Sequence, residues 1–311
     1  MDYLFLVISL ALIVFGAMLL TDGSVAVARR MRIPEFIVGL TVMAVGTSMP
    51  EFTVSMISAI GGHGDMAIGN VVGSNIANTL FILGICAIFS PILFTKSNVR
   101  RDIPLNLLTS VMLLGAAYTA TTVGRLEGIV LLVAYMIMIG LTIRNDRKSM
   151  AESGAEEVAE AKTMPVWRIL VWIVAGLAAL IYGGDLFVDS ATNIALAWGV
   201  SEAVIAISLV AVGTSLPELA SSLASIFKGS PSMALGNVMG SNVANILLIL
   251  GACSTVSPLG VSDVSMTAIY INVAVAVLFM LSAFFIGERR ITRIEGLIFL
   301  AVYCVYIYNL I

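Results

Sequence analysis

The chain has 311 residues, of which 59% are hydrophobic and only 11% are charged, and its mean hydropathy is +1.06. That composition leaves too little polar surface to cover a soluble globule of this size, so a soluble protein is excluded. The net charge of −3 identifies no partner by itself. We expect an all-α integral membrane protein whose surroundings are the lipid bilayer, with no nucleic acid partner, no required protein partner and no cofactor.

Ten apolar runs along the chain are long enough to cross a bilayer as helices. A spanning helix needs about 20 mainly apolar residues, and short polar segments separate these runs from one another. The sequence therefore predicts ten transmembrane helices, at residues 3–20, 36–60, 66–94, 103–120, 126–143, 167–188, 203–227, 233–256, 264–286 and 294–311.

The basic residues between these runs fall almost entirely on one side of the membrane. Fifteen of the 16 Lys and Arg residues lie in odd-numbered loops, and only Arg125 lies in an even-numbered one. The positive-inside rule then puts both termini on the non-cytoplasmic side of what we expect to be the plasma (inner) membrane. The segment 144–165, rich in Ala, Glu, Lys and Ser, is predicted to be a cytoplasmic linker.

The second apolar run contains a carboxylate, in the sequence Gly-Thr-Ser-Met-Pro-Glu that ends at Glu51. Residues 36–50 and 52–64 on either side of it contain no Asp, Glu, Lys or Arg. A carboxylate at such a depth costs several kcal/mol unless it is compensated, so it is a functional hypothesis. The same residues also fit a helix-capping box, Ser48-x-x-Glu51 with Pro50 in the first turn. One copy of the motif leaves both interpretations open.

A second copy of this motif, Gly-Thr-Ser-Leu-Pro-Glu, ends at Glu218, 167 residues after Glu51. At the same spacing, residues 69–75 (Gly-Asn-Val-Val-Gly-Ser-Asn) align with residues 236–242 (Gly-Asn-Val-Met-Gly-Ser-Asn). Self-similarity at a fixed spacing indicates an internal repeat. The repeat favours a functional role for both glutamates over an ordinary helix cap.

Each copy holds five of the ten predicted helices, so the second copy enters the membrane in the opposite orientation. We expect a first five-helix repeat at 1–143, the linker at 144–165 and a second, inverted five-helix repeat at 166–311. Inverted repeats usually pack about a pseudo-two-fold axis, with a binding site at the midplane where broken helices meet. Gly46 and Pro50 flank a point where the second helix can break.

The polar residues near these breaks offer oxygen donors only. Oxygen ligands suit hard cations such as Ca²⁺ and Na⁺, whereas Zn²⁺ and Cu⁺ prefer imidazole or thiolate ligands. Within each copy the donors are spaced four residues apart and share helix faces. They are Thr47 with Glu51 and Ser74 with Asn78 in the first copy, and Thr214 with Glu218 and Ser241 with Asn245 in the second.

The pairing of Gly-Thr-Ser-x-Pro-Glu with Gly-Asn-x-x-Gly-Ser-Asn-x-x-Asn, once per half, resembles the paired alpha repeats of the sodium/calcium exchangers. The resemblance covers essentially the whole chain and implies a ten-helix antiporter in which Na⁺ and Ca²⁺ share one midplane site under alternating access. It implies that Ca²⁺ is bound by Thr47, Glu51, Thr214 and Glu218. It also implies that these residues bind Na⁺ together with Ser48, Ser74, Asn78, Ser215, Ser241 and the carbonyl groups of Ala44 and Ala211.

Asn245 completes the predicted metal site and is also where the chain departs from some members of that family. Some members, including prokaryotic and potassium-dependent ones, have Asp at this position, whereas the eukaryotic potassium-independent branch has Asn. A role for K⁺ is therefore in doubt, and we expect exchange without K⁺. The alternative function is Ca²⁺/H⁺ antiport, because Glu51 and Glu218 could carry protons. The proton-coupled branch typically has a Gly-Asn-Ala-x-Glu motif, which this sequence lacks. No nucleophile and base pair typical of an enzyme is visible.

Overall fold

The structure, a computed structural model, describes residues 1–119, 122–152, 164–198, 211–286 and 289–310. Part of the predicted linker at 144–165 and the start of the predicted helix at 203–227 lie outside these residues. The described α-helices are Asp2–Met31, Glu35–Val38, Ala44–Thr47, Met49–Ile60, Gly64–Ile76, Leu83–Phe89, Ile103–Thr119, Arg125–Glu152, Val166–Ala197, Ala211–Thr214, Leu216–Phe227, Pro231–Val243, Gly251–Val256, Asp263–Leu281 and Arg293–Leu310. Segments of π-helix span Gly39–Met43, Ala77–Ile82, Asn98–Asp102, Ala244–Leu250 and Ser282–Ile286.

Six of the described helices are long and apolar enough to cross a membrane, and a bent pair makes a seventh if it counts as one span. The chain is thus a multi-pass membrane protein. The helices Ile103–Thr119 and Arg293–Leu310, with 17 and 18 residues, occupy two further predicted spans at the lower limit of spanning length. The number ten and the inverted arrangement stay predictions.

Two helices form the centre of the molecule, the first core helix (Gly64–Phe89) and the second core helix (Pro231–Val256). In these two helices the most apolar stretch of 18 residues is 78% and 94% buried, whereas in the other four long helices the same stretch is 22–33% buried. Each core helix contains a widened π-helical turn, at Ala77–Ile82 and Ala244–Leu250. Such turns inside α-helices are frequent at functional sites. The outer helices keep apolar faces exposed, as lipid contact requires.

The predicted helix break is present and occurs in the same form in both halves. Helix Glu35–Thr47 bends by 47° into Met49–Ile60, with Ser48 at the junction. Ser48 has φ −83° and ψ 10°, and Ser215, between the helices Ala211–Thr214 and Leu216–Phe227, has φ −90° and ψ 4°. A proline in the first turn of each following helix loses no hydrogen bond, because the N–H groups there have no helical acceptor.

Two short β-ladders join the halves of the chain, and the all-α prediction did not include them. Ile92–Leu93 pairs antiparallel with Arg290–Ile291, and Thr122–Val123 pairs with Leu259–Gly260. Strands of two residues are too short to give the alternating pattern that identifies a strand in a sequence. Each ladder joins a segment of one half to a segment of the other, so the two ladders connect the halves reciprocally.

The two longest helices, Asp2–Met31 and Val166–Ala197, pack against each other through glycine residues. A Cβ atom added to Gly16 would lie 2.8 Å from the carbonyl oxygen of Gly176. A Cβ atom added to Gly176 would lie 2.7 Å from the backbone nitrogen of Leu20. Small residues at a helix interface let the backbones approach closely, which is how helices associate in a bilayer.

Candidate functional site

Glu51 and Glu218 are both buried, each three residues after a helix break, and each side chain is 1% exposed. In each carboxylate one oxygen accepts a serine hydroxyl, from Ser74 to Glu51 at 3.4 Å and from Ser48 to Glu218 at 3.0 Å. The other oxygen, Oε2, has no protein partner in either residue. Two buried carboxylates therefore keep one acceptor each for another ligand.

The contact from Ser48 to Glu218 resolves the two interpretations of the sequence motif. Ser48 does stand at the N-cap position of helix Met49–Ile60, but its hydroxyl makes no capping hydrogen bond. It donates instead to a carboxylate of the other half, 170 residues away in the chain. The same is true of the cap at Ser215, whose hydroxyl does not cap its helix. The motif builds a polar centre and not a capping box.

The charge of this centre is not neutralised by the protein. Glu51 and Glu218 are close enough to repel each other electrostatically. Among the residues that the structure describes, no lysine or arginine is buried. Uncompensated buried charge is costly, and it is normally paired or bound to a metal ion. The arrangement therefore has the electrostatics of a cation site.

Further buried oxygen atoms without protein partners belong to residues that the sequence placed in the site. Buried polar groups are nearly always hydrogen-bonded, so a group of unpartnered ones calls for a ligand. Across the ranges that the structure describes, no cluster of three or more His, Cys, Asp or Glu side chains occurs. The unpartnered atoms in predicted site residues are the hydroxyls of Ser215 and Ser241, the amide of Asn78 and Oδ1 of Asn245; outside the predicted site, the hydroxyl of Ser24 and Oδ1 of Asn242 are also unpartnered.

The remaining predicted residues are two threonines and two alanines, and the alanines were expected to bind Na⁺ through their backbone carbonyls. The hydroxyl of Thr47 lies 3.4 Å from Oδ1 of Asn237 and 3.4 Å from the carbonyl oxygen of Ala44. That carbonyl also accepts the backbone N–H of Ser48 at 3.1 Å, so the break leaves it hydrogen-bonded. Thr214 is half-buried, and Ala211 is the first residue described after the gap at 199–210. Ion binding by the Ala44 and Ala211 carbonyls stays a prediction.

Two asparagines that the site prediction omitted hold the glutamates in place. Asn70 donates to the backbone carbonyl of Glu51 at 3.3 Å and to the hydroxyl of Ser55 at 2.9 Å. Asn237 donates in the same way to the backbone carbonyl of Glu218 at 3.4 Å. It also donates to the hydroxyls of Ser221 and Ser222, both at 3.0 Å. Both asparagines belong to the repeated Gly-Asn-x-x-Gly-Ser-Asn motif. That motif is the feature of the sequence that could have identified them as site residues.

A cleft of about 660 Å³ lies beside both breaks, against helix Val166–Ala197. Its walls include Pro50, Thr214 and Pro217 from the breaks, and Asp185 and Asp189 from the long helix. Clefts lined by one sign of charge raise the local concentration of counter-ions. The two aspartates therefore favour the approach of cations along this cleft.

Comparisons with known proteins identify the family of the chain. A family model described as "Sodium/calcium exchanger protein" matches residues 1–144 and 168–311. Sodium/calcium exchanger MaX1 of Methanosarcina acetivorans is 29% identical over 98% of this chain and 97% of its own. Inner membrane protein YrbG of Escherichia coli is 33% identical over 81% of this chain and 79% of its own. A solved structure of the sodium-calcium exchanger NCX_Mj, soaked with zero Na⁺ and Ca²⁺, has a TM-score of 0.85 at 34% identity, covering 100% of this chain and 99% of its own.

Proposed function

This chain belongs to the sodium/calcium exchanger protein family, and we propose that it is a secondary active antiporter that exchanges Na⁺ for Ca²⁺. Exchange takes place by alternating access at one oxygen-ligand site near the membrane midplane. One observation carries the proposal: two buried glutamates from different halves each keep an unpartnered carboxylate oxygen, with no buried basic residue among the described ones. A bound metal cation would neutralise such a centre.

The charge and the donor atoms favour Ca²⁺ and Na⁺ as the transported ions. Two carboxylates balance one divalent ion, and Ca²⁺ accepts six to eight oxygen ligands in adaptable geometry. Serine hydroxyl and asparagine carbonyl oxygens add neutral donors, which also suit Na⁺. If more than two Na⁺ replace one Ca²⁺, net charge crosses the membrane in each cycle and transport is electrogenic.

Ca²⁺/H⁺ antiport is the alternative, because the same glutamates could release Ca²⁺ by taking up protons. Proton coupling would need only the two carboxylates. The unpartnered hydroxyls of Ser215 and Ser241 and the amide oxygen of Asn245 would not carry the protons, whereas they can bind Na⁺. These neutral oxygens favour Na⁺ as the coupling ion.

The proposed architecture is ten helices in two inverted repeats, 1–143 and 166–311, joined by the linker 144–165. The equivalent breaks at Ser48 and Ser215 support it, as do the two reciprocal β-ladders. Both termini would lie on the non-cytoplasmic side of the plasma (inner) membrane. In a variant with Cys304 replaced by serine, a cysteine at the exposed His63 should react with impermeant maleimide only from outside, and one at Lys96 only from the cytoplasm. The reverse pattern would contradict this orientation.

Uptake of ⁴⁵Ca²⁺ into proteoliposomes tests the coupling ion. Vesicles loaded with Na⁺ should take up Ca²⁺ against its gradient, whereas vesicles loaded with choline should not. Vesicles that carry only a pH gradient, acidic inside, should also show no accumulation. Uptake driven by the pH gradient and not by Na⁺ would support the alternative, and uptake in neither case would contradict the antiporter assignment.

A further inference from the structure

Two asparagine side chains and one asparagine backbone carbonyl form a hydrogen-bonded chain between the two core helices. Nδ2 of Asn75 donates to the backbone carbonyl of Asn242 at 3.1 Å. Nδ2 of Asn245 donates to Oδ1 of Asn75 at 3.0 Å. All three residues are buried, with exposed fractions of 4% or less. The chain leads from the backbone of one core helix, through a side chain of the other, to a residue of the candidate cation site.

The direction of every hydrogen bond in this chain follows from its first member. A backbone carbonyl can only accept a hydrogen bond, so the amide of Asn75 must turn its NH₂ group toward Asn242. Oδ1 of Asn75 then faces Asn245 and can only accept, which requires the NH₂ group of Asn245 on that side. An inverted amide at Asn245 would place two oxygens against each other. The orientation therefore rests on a fixed acceptor and not on an arbitrary assignment of amide atoms.

Once its NH₂ group is engaged, Asn245 has one remaining polar side-chain atom, Oδ1. This atom is buried and has no protein partner. We propose that Asn75 is a positioning residue, which holds the Asn245 amide so that its carbonyl oxygen, and not its NH₂ group, is offered to a transported cation. The inference rests on the proposed function, because it assigns the unpartnered oxygen to ion binding.

The equivalent position in the first half is held differently. Asn242, the repeat counterpart of Asn75, donates to the hydroxyl of Thr79 at 2.9 Å, and its Oδ1 accepts nothing from Asn78. Neither amide atom of Asn78 has a protein partner. Only one of the two equivalent amides is thus oriented by the protein. The oxygen of Asn245 is neutral and lies outside the four residues implied for Ca²⁺. Because neutral oxygens also suit Na⁺, Asn75 should act mainly on Na⁺ affinity.

The test is ⁴⁵Ca²⁺ binding to the purified full chain and its displacement by Na⁺. Asn75→Leu removes both the donor to Asn242 and the acceptor for Asn245. We expect Asn75→Leu to raise the Na⁺ concentration for half-displacement about tenfold and to change Ca²⁺ affinity less than about threefold, because an unpaired NH₂ group can then turn toward the ion.

Two further variants separate positioning from a structural role. In the background of Asn245→Ala, Asn75→Leu should cause no further change in Na⁺ displacement, because the residue through which it acts is gone. Thr79→Val, the matched control, breaks an inter-helix hydrogen bond of similar length that does not lead to Asn245. It should lower thermal stability and leave Na⁺ displacement unchanged. If Asn75→Leu does not fold, Asn75→Ser, whose hydroxyl is too short to reach Asn245, replaces it.

The results that would overturn the inference are distinct from those that contradict the proposed function. Equal weakening of Na⁺ and Ca²⁺ binding in Asn75→Leu would show a merely structural role. A further loss of Na⁺ displacement on adding Asn75→Leu to Asn245→Ala would also show a structural role. Unchanged Na⁺ displacement in Asn75→Leu would show that Asn75 has no positioning role. Failure of the unmodified chain to bind Ca²⁺ would contradict the proposed function itself, and this inference with it.

Discussion

The two halves share a motif and a backbone geometry but use different partners for their glutamates. Glu51 accepts from Ser74 of its own half, whereas Glu218 accepts from Ser48 of the other half. The counterparts of these donors, Ser241 and Ser215, have no protein partner. The repeat thus supplies each glutamate with two serines, one from each half, and the structure uses a different one for each glutamate. Two copies of one sequence motif can therefore form different hydrogen bonds around the same site.

The largest effect is expected where the halves are equivalent. Glu51→Gln and Glu218→Gln should each lower Na⁺-dependent Ca²⁺ uptake about 100-fold or more, because a divalent ion is left half neutralised in a buried site, which costs about 3–5 kcal/mol. Thermal melting of the purified protein should show that both variants fold. Near-normal uptake by one variant would mean that the two glutamates are not equivalent.

Substitution by alanine should cost different amounts of stability at Gly16 and Gly183, two glycines that occupy equivalent positions in the repeat. Gly16→Ala should lower the stability by about 1–3 kcal/mol, since the new methyl group meets the backbone of Gly176. Its counterpart, Gly183→Ala, should cost less, because its nearest neighbour is a side-chain carbon of Ile13 at 3.0 Å. Gly140→Ala, with nothing within 4 Å, should stabilise its helix. Melting temperatures in one detergent check the order, and equal losses at positions 16 and 183 would contradict it.

The unequal hydrogen bonding predicts different ion effects for Ser48 and Ser215. Ser48→Ala removes a hydrogen bond to a carboxylate, worth about 1.5–3 kcal/mol, and should weaken both Ca²⁺ and Na⁺ about tenfold. Ser215→Ala removes a hydroxyl without a protein partner and should weaken Na⁺ more than Ca²⁺. The half-saturating concentrations of both ions in uptake assays measure this. Equal changes in the half-saturating concentrations of Ca²⁺ and Na⁺ in the two variants would contradict this prediction.

The smallest effect concerns an ion pair between the halves that has no counterpart in the repeat. Lys228 pairs with Asp22 and donates to the carbonyl of Met18 at 2.8 Å. The repeat counterparts are Gly61 and Asp189, so the reciprocal pair cannot form. Lys228→Gln should reduce stability by about 0.2–1 kcal/mol at low salt and by less at high salt, as for other solvent-accessible ion pairs. Asp189→Asn should leave the melting temperature unchanged, and an equal loss there would indicate a different partner.

The sequence predicted the polar centre better than its detailed bonding. Glu51, Glu218 and their serines were identified because uncharged flanks and a second copy make a buried carboxylate conspicuous. The positions of Asn70, Asn75 and Asn237 in the motif were visible, but which group each amide contacts depends on helix packing. The sequence favoured a buried functional carboxylate over a helix-capping box. Only the hydrogen bond from Ser48 to Glu218 distinguished the two interpretations. The β-ladders were missed because two residues carry no periodic signal.

The central claim is that Glu51 and Glu218 bind one cation together. Equilibrium binding of ⁴⁵Ca²⁺ to the purified chain tests this most directly, since it needs no assumption about coupling or orientation. We predict one Ca²⁺ per chain, displaced by Na⁺, and the loss of that ion in both Glu51→Gln and Glu218→Gln. Two Ca²⁺ per chain, or one Ca²⁺ that either variant retains at unaltered affinity, would contradict a shared site.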